Sequence, residues 1–173
     1  MTVPADLRAA AEQVVRAWLA ESGLEHEPGA RPGESVVQLP GEAKLRTAVS
    51  VLVGDRALSV SAFVIRNPDE NHEQVYRRLL GRNTRLPGIA FALDRSGDVF
   101  LVGRLPLEGV TARTLDELLG AVLAAADSSF NELLALGFLS SMRREWAWRT
   151  DRGESTRNLE AFRHLLDDGP GAD

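Results

Sequence analysis

Residues 43–65 read AKLRTAVSVLVGDRALSVSAFVI, two alternating runs on either side of Gly54-Asp55. In the first run Leu45, Thr47, Val49, Val51 and Val53 alternate with Lys44, Arg46, Ala48 and Ser50; in the second, Leu58, Val60, Ala62 and Val64 share one side. Alternate side chains of a strand point to opposite faces, so each run offers one face to a core and one toward water. The Gly-Asp pair is turn chemistry, which predicts an antiparallel hairpin of strands Ala43 to Val53 and Ala57 to Ile65.

Upstream, Ser35 to Leu39 adds a third strand across the Pro40-Gly41 turn, completing a meander. The stretch His26 to Gly33 carries Pro28, Gly29, Pro32 and Gly33 and reads as an irregular connection. Before it, Leu7, Ala11, Val14, Val15, Trp18 and Leu19 recur at helical spacing from Ala5 to Ser22, and Gly23 follows as a C-terminal cap.

Downstream, Asn67-Pro68-Asp69-Glu70 has the order of a helix start, with Asn as N-cap, Pro at the first helical position and Glu placed to bond back. That helix is expected to run to Arg82 or Asn83, with Val75, Tyr76, Leu79 and Leu80 as a narrow apolar stripe. A hairpin follows, Gly88 to Leu93 and Val99 to Leu105, in which Gly103 marks a bulge or a close approach of another element. The longest helix is predicted from Thr111 to Leu136, capped by Thr111 or by a box opening at Thr114, and ended by Gly137. Leu115, Leu118, Leu119, Val122, Ala126, Phe130, Leu133 and Leu134 form its apolar face.

The predicted order is therefore α-βββ-α-ββ-α, an α+β fold with an antiparallel sheet of about five strands packed against helices. Ser140 to Arg149 reads as a short further helix, although the spacing of Trp146 and Trp148 also suits a strand. Residues 1–149 are taken as one domain and 150–173 as a polar tail with a weak amphipathic helix built on Leu159, Phe162, Leu165 and Leu166.

Composition narrows the function classes. The 173 residues carry a formal net charge of −5 and a pI near 5.3, which gives no footprint for a phosphate backbone and argues against nucleic acid. Lys44 is the sole lysine; every other basic side chain besides histidine is arginine. The absence of cysteine removes disulfides, thiolate nucleophiles and Cys-ligated metals. No targeting signal or uninterrupted apolar span of about 20 residues is read in the sequence, so a cytoplasmic protein without membrane contact is expected.

The inventory for catalysis is thin. Ser128, Ser129, Ser140 and Ser141 lie in no G-x-S-x-G elbow and have only His26, His72 and His164 to serve them. His72-Glu73 is not followed by a second histidine one turn later, and the glycines do not assemble a phosphate loop. No enzyme, metal or cofactor is predicted.

Three groups of residues stand out as candidate contact sites. Trp146, Trp148 and Arg149 lie in an Arg-Trp mixture of the kind enriched at interfaces, although tryptophans also close ordinary cores. Gly120, Ala121, Ala124 and Ala125 form a small-residue surface that lets another backbone approach. Arg77, Arg78, Arg82 and Arg85 are a candidate anion site, and their gathering toward the end of a helix is also what its dipole favours.

Several stretches resemble the YbjN family. They are 64–71 (VIRNPDEN), 75–80 (VYRRLL) with Asn83, 91–94 (FALD) with 97–99 (GDV), 101–106 (LVGRLP), 115–127, Phe130-Asn131, Gly137-Phe138 and 144–149 (REWAWR), the last similar to actinobacterial members. The resemblance spans about Ala5 to Arg149. It implies a fold like that of class I type III secretion chaperones and a non-enzymatic regulator, chaperone-like and homodimeric, that binds a protein client or regulatory partner. No catalytic residues come with it.

Overall fold

The computed structural model describes residues 5–166. The elements are α1 (Ala5–Ser22), β1 (His26–Pro28), β2 (Glu34–Pro40), β3 (Arg46–Val53), β4 (Ala57–Ile65), α2 (His72–Asn83), β5 (Ile89–Leu93), β6 (Val99–Pro106), α3 (Ala112–Asp151) and α4 (Arg163–Leu166), with single 3₁₀ segments at Leu107–Gly109 and Arg157–Phe162.

All six strands form one antiparallel sheet in the order β1-β2-β3-β4-β6-β5. The α+β fold, the meander and the second hairpin are as expected; the additional strand is β1, inside the stretch read as irregular. Its three residues are exposed, so no alternation marked it, and only pairing of His26 with Val37 and Pro28 with Ser35 makes it a strand. The register lines up Val37, Val49, Ala62, Leu101 and Phe91 in one row across five strands. The helices cover this face, and the row is buried. In the neighbouring row Gly103 is a close approach rather than a bulge: a Cβ there would stand 2.8 Å from Ile89 Cγ2 and 2.9 Å from the Gly88 carbonyl.

The strand expected from Ala43 to Val53 is shorter than its alternation implied. β3 begins at Arg46, and Leu45, placed on the core face by its parity, is 76% exposed. The reason lies on α3: Asp127 Oδ1 accepts the backbone N–H groups of Glu42, Ala43 and Lys44, each at 2.9 Å, and winds them into a loop. A carboxylate that satisfies three successive donors outweighs the continuation of a strand edge.

The helix start at Asn67-Pro68-Asp69-Glu70 is also not used as one. α2 begins at His72, after Asn71 with φ 54°. The preceding loop is instead threaded onto α3. There Gly137, expected to end the long helix, sits buried within a 40-residue helix, where a Cβ would come 2.9 Å from Pro68 Cβ. Its carbonyl accepts the N–H groups of Asp69 and Glu70 at 2.9 and 3.2 Å. Asn71 Nδ2 donates to the Leu136 carbonyl at 2.9 Å, and the Ser140 N–H and hydroxyl donate to the Glu70 carboxylate at 2.7 and 2.8 Å.

These are the groups that a helix stop followed by a restart would leave without partners. The stop signal at Gly137 and the polar restart at Ser140 are thus physically present, and a loop 70 residues away supplies both caps so that the backbone keeps its helical course. Residues 140–149 are helical, as first expected, and the strand alternative is excluded.

At its other end α3 is capped by Thr111, whose hydroxyl accepts Thr114 N–H at 3.1 Å while Thr114 Oγ1 accepts Thr111 N–H at 2.9 Å. Length and composition would let α3 cross a bilayer. Its apolar stripe is accounted for within the domain, because Leu115, Leu118, Leu119, Val122, Leu133 and Phe138 are buried in the core. Trp18 Nε1 ties α1 to it through Asp116 Oδ1 at 2.7 Å. Beyond α3, the expected tail residues Leu159, Phe162 and Leu166 are buried, and Arg143 donates to the Leu165 carbonyl at 3.1 Å.

Candidate partner-binding surfaces

The half of each alternating pattern that does not enter the core forms the other face of the sheet. One row across it is Val36, Ser50, Ser61, Val102 and Ala90; the rows on either side pair Leu52 with Ser59 and Arg104, and Phe63 with Phe100 and Ala92. Every one of these side chains keeps part of its surface in solvent, Phe63 being 41% and Val102 37% exposed. Phe63 and Phe100 pack edge to face with centroids 5.6 Å apart. An open sheet face is ordinarily polar. Here its middle is small and uncharged, and the charged side chains stand toward the margins, at Glu27, Glu34, Arg46 and Arg104.

Glu34 at one corner is held by Arg31 (2.8 Å) and by the Ser50 hydroxyl, which together lower its pKa to about 2. It is therefore a fixed negative charge at neutral pH.

The edges of the sheet are less available than the face. β1 is three residues long and ends in Pro28, which has no donor. On the outer edge of β5 the Asn83 side chain imitates a neighbouring strand: Phe91 N–H donates to Asn83 Oδ1 at 2.7 Å and Asn83 Nδ2 donates to the Phe91 carbonyl at 3.1 Å. Both edges are blunted against strand addition.

The residues singled out from the sequence fall in three separate places. On α3 Gly120 and Ala124 face solvent and Ala121 is half-buried against the core, whereas Ala125, expected on the same surface, is buried in the core. Trp146 is half-buried against the core, whereas Trp148 is 47% exposed and lies under the Arg152 guanidinium at 4.7 Å. Arg149 pairs with Glu145 at 2.8 Å and donates to the Ser155 carbonyl at 2.9 Å. At ~1.5 Å of rise per residue, Gly120 and Trp148 are about 40 Å apart along α3, too far to belong to one contact spot.

Arg77, Arg78, Arg82 and Arg85 converge with Gly81 and Leu86 on a groove of about 420 Å³ along α2. Part of their charge is already met. Arg78 Nε pairs with Glu132 at 2.6 Å, Arg82 lies 3.6 Å from the same carboxylate and donates to Ser128 Oγ at 3.0 Å, and Arg77 pairs with Glu73 at 2.9 Å. The serines considered for catalysis are likewise engaged, Ser129 with the Ala125 carbonyl at 2.7 Å and Ser141 with Asp69 at 2.7 Å. Among the described residues no cluster of His, Asp and Glu is arranged to hold a metal.

The fold is similar to that of type III secretion chaperones. A chain of the HopA1–SchA chaperone–effector complex superposes with a TM-score of 0.54, at 12% identity over 72% of this chain and 95% of that one. The Yersinia pestis chaperone SycH, solved with a fragment of YscM2, gives 0.51 at 20% identity, covering 67% and 96%; a chain of the ExsC–ExsE complex gives 0.53 at 17%, covering 73% and 96%.

The chain belongs to the YbjN family, whose description is "Putative bacterial sensory transduction regulator" and whose pattern matches residues 12–135. Similar relatives are an uncharacterized protein of Mycobacterium tuberculosis, 54% identical over 80% of this chain and 75% of the relative, and one of Mycobacterium leprae, 53% identical over 77% and 72%.

The open face was the feature that sequence reasoning passed over. Its signal was present in the non-core parity of β3 and β4, where Ala48, Ser50, Ser59, Ser61 and Phe63 stand in place of charged residues.

Proposed function

We propose that this protein is a non-enzymatic, chaperone-like regulatory domain that receives an extended segment of a partner protein on the open face of its sheet. The observation that carries this reading is the uncharged centre of that face, where small side chains lie beside Phe63, Phe100 and Val102 with no element among the described residues roofing them. Apolar surface left open in this way loses stabilisation unless a partner covers it. The shared fold supports the reading, since two of the similar structures are of a chaperone with its effector and of a chaperone with a protein fragment. In this proposal the domain acts in the cytoplasm as a homodimer.

The arginine groove on α2 supports a second reading, capture of a small anion. Glu73 and Glu132 already offset part of its charge, so protein binding stands first. The two readings separate in one comparison. Affinity capture from native cytoplasm is run with the wild-type chain, with Ser61→Arg in the centre of the open face, and with Arg77→Ala combined with Arg85→Ala. Loss of a defined protein partner in Ser61→Arg alone supports the first reading. An unchanged partner list in that variant, together with a phosphate-dependent thermal shift abolished by the arginine changes, replaces it with the second.

A further inference from the structure

Between the end of β4, the middle of α3 and the Arg157–Phe162 segment lies a cleft of about 500 Å³. That is within the range of about 300–1,000 Å³ usual for small-molecule sites. Phe63, Phe130, Leu134, Phe138, Met142 and Phe162 make its walls apolar.

Into this lining reaches Lys44, the only lysine of the chain. Its Nζ donates to the Val64 carbonyl at 3.0 Å and lies 5.2 Å from the ring centroids of both Phe63 and Phe130. Among the described residues no carboxylate comes within ion-pair distance of it. The other charged groups on the cleft are matched: Arg66 is bidentate to Asp69 at 2.6 and 2.8 Å, and Glu145 is paired with Arg149 at 2.8 Å. One positive charge is therefore left over.

An ammonium has three protons to donate, and desolvating it without an anion is unfavourable. Burial accordingly lowers the Lys44 pKa, while the two aromatic faces return part of the lost hydration as cation–π attraction. A carboxylate beside Nζ would complete the set. The chemistry of the walls specifies the remainder of the ligand. A single cation suits a monoanion better than a phosphate, which takes several donors. The surrounding aromatic and aliphatic side chains suit a hydrocarbon chain. The Val64 carbonyl and the Ser141 hydroxyl, which a peptide backbone could have used, are already engaged by Lys44 and Asp69.

We propose that the cleft binds an amphipathic monocarboxylate of the medium-chain fatty acid class, its chain against Phe130, Phe138 and Phe162 and its carboxylate ion-paired with Lys44. This site is separate from the centre of the open sheet face, and Phe63 borders both.

A single lysine makes the test direct. The full-length protein is reductively methylated with isotopically labelled methyl groups, so that Lys44 gives the one lysine resonance. It is then titrated with sodium decanoate below its micellar concentration and, in parallel, with decan-1-ol. Decanoate should shift the Lys44 resonance saturably and bind at least about tenfold more tightly than the alcohol, the discrimination expected of a charge-assisted hydrogen bond. Lys44→Met should remove that preference while circular dichroism shows the fold retained. The proposal is overturned if decanoate produces no saturable shift, if the alcohol binds equally well, or if a folded Lys44→Met variant keeps the preference. Should that variant fail to fold, the comparison of the two ligands on the wild-type protein decides alone.

Discussion

Glu70 Oε1 accepts the backbone N–H of Ser140 at 2.7 Å, joining the loop before α2 to the interior of α3 across 70 positions of sequence. A helix-capping carboxylate is usually local; this one is delivered by tertiary structure to the place where Gly137 and Ser140 would otherwise divide the helix.

Removing that cap should loosen the far half of α3 selectively. Glu70→Ala is expected to destabilise the protein by about 1–2 kcal/mol, as loss of an N-cap does, and Glu70→Gln by less. Hydrogen exchange should show protection falling in residues 138–151 while the sheet is unchanged. Uniform loss of protection across the chain would contradict a local cap.

The same junction should be sensitive to acid. Arg66 and the Ser141 hydroxyl hold Asp69 at a pKa of about 2, and the Ser140 N–H and hydroxyl lower that of Glu70. Both carboxylates are more acidic in the folded state than in the unfolded chain. Their contribution is therefore complete above the unfolded values near pH ~4 and is lost as pH falls toward 2. Exchange in residues 138–151 should accelerate over that interval ahead of global unfolding, and Asp69→Asn should flatten the dependence.

Asp127→Ala leaves three backbone N–H groups, those of Glu42, Ala43 and Lys44, without their acceptor. A loss of about 1–3 kcal/mol is expected, with Asp127→Asn intermediate because its side-chain oxygen still accepts. Denaturant midpoints measure the loss. Because the loop carries Lys44, the alanine variant should also weaken binding of decanoate.

In the core, Leu133→Ala should cost about 2–5 kcal/mol, since Leu133 is completely buried. Leu45→Ala, by contrast, should change stability by no more than about 0.5 kcal/mol, because that side chain stands in solvent. The pair tests the corrected start of β3 by thermal denaturation.

What the sequence determined by itself was the part of the fold encoded by local periodicity and turn chemistry. The alternation in residues 43–65, the Gly54-Asp55 turn and the apolar stripe of α3 each depend on neighbours a few positions away, and they define an α+β domain with an antiparallel sheet. Even the corrected details were partly legible: Gly137 and Ser140, read as a stop and a restart, are the residues at which the loop before α2 is bonded to α3. Tertiary structure alone decided the rest. It made His26–Pro28 a strand by giving it β2 to pair with, moved the start of α2 to His72 by engaging Asp69, Glu70 and Asn71 with α3, left Phe63 and Val102 on the outer face of the sheet exposed, and set Lys44 between two phenylalanines. Each of these depends on a partner far away in sequence. A donor, a charge or an apolar face is satisfied by whatever the fold brings to it, and residue order does not record which groups will meet.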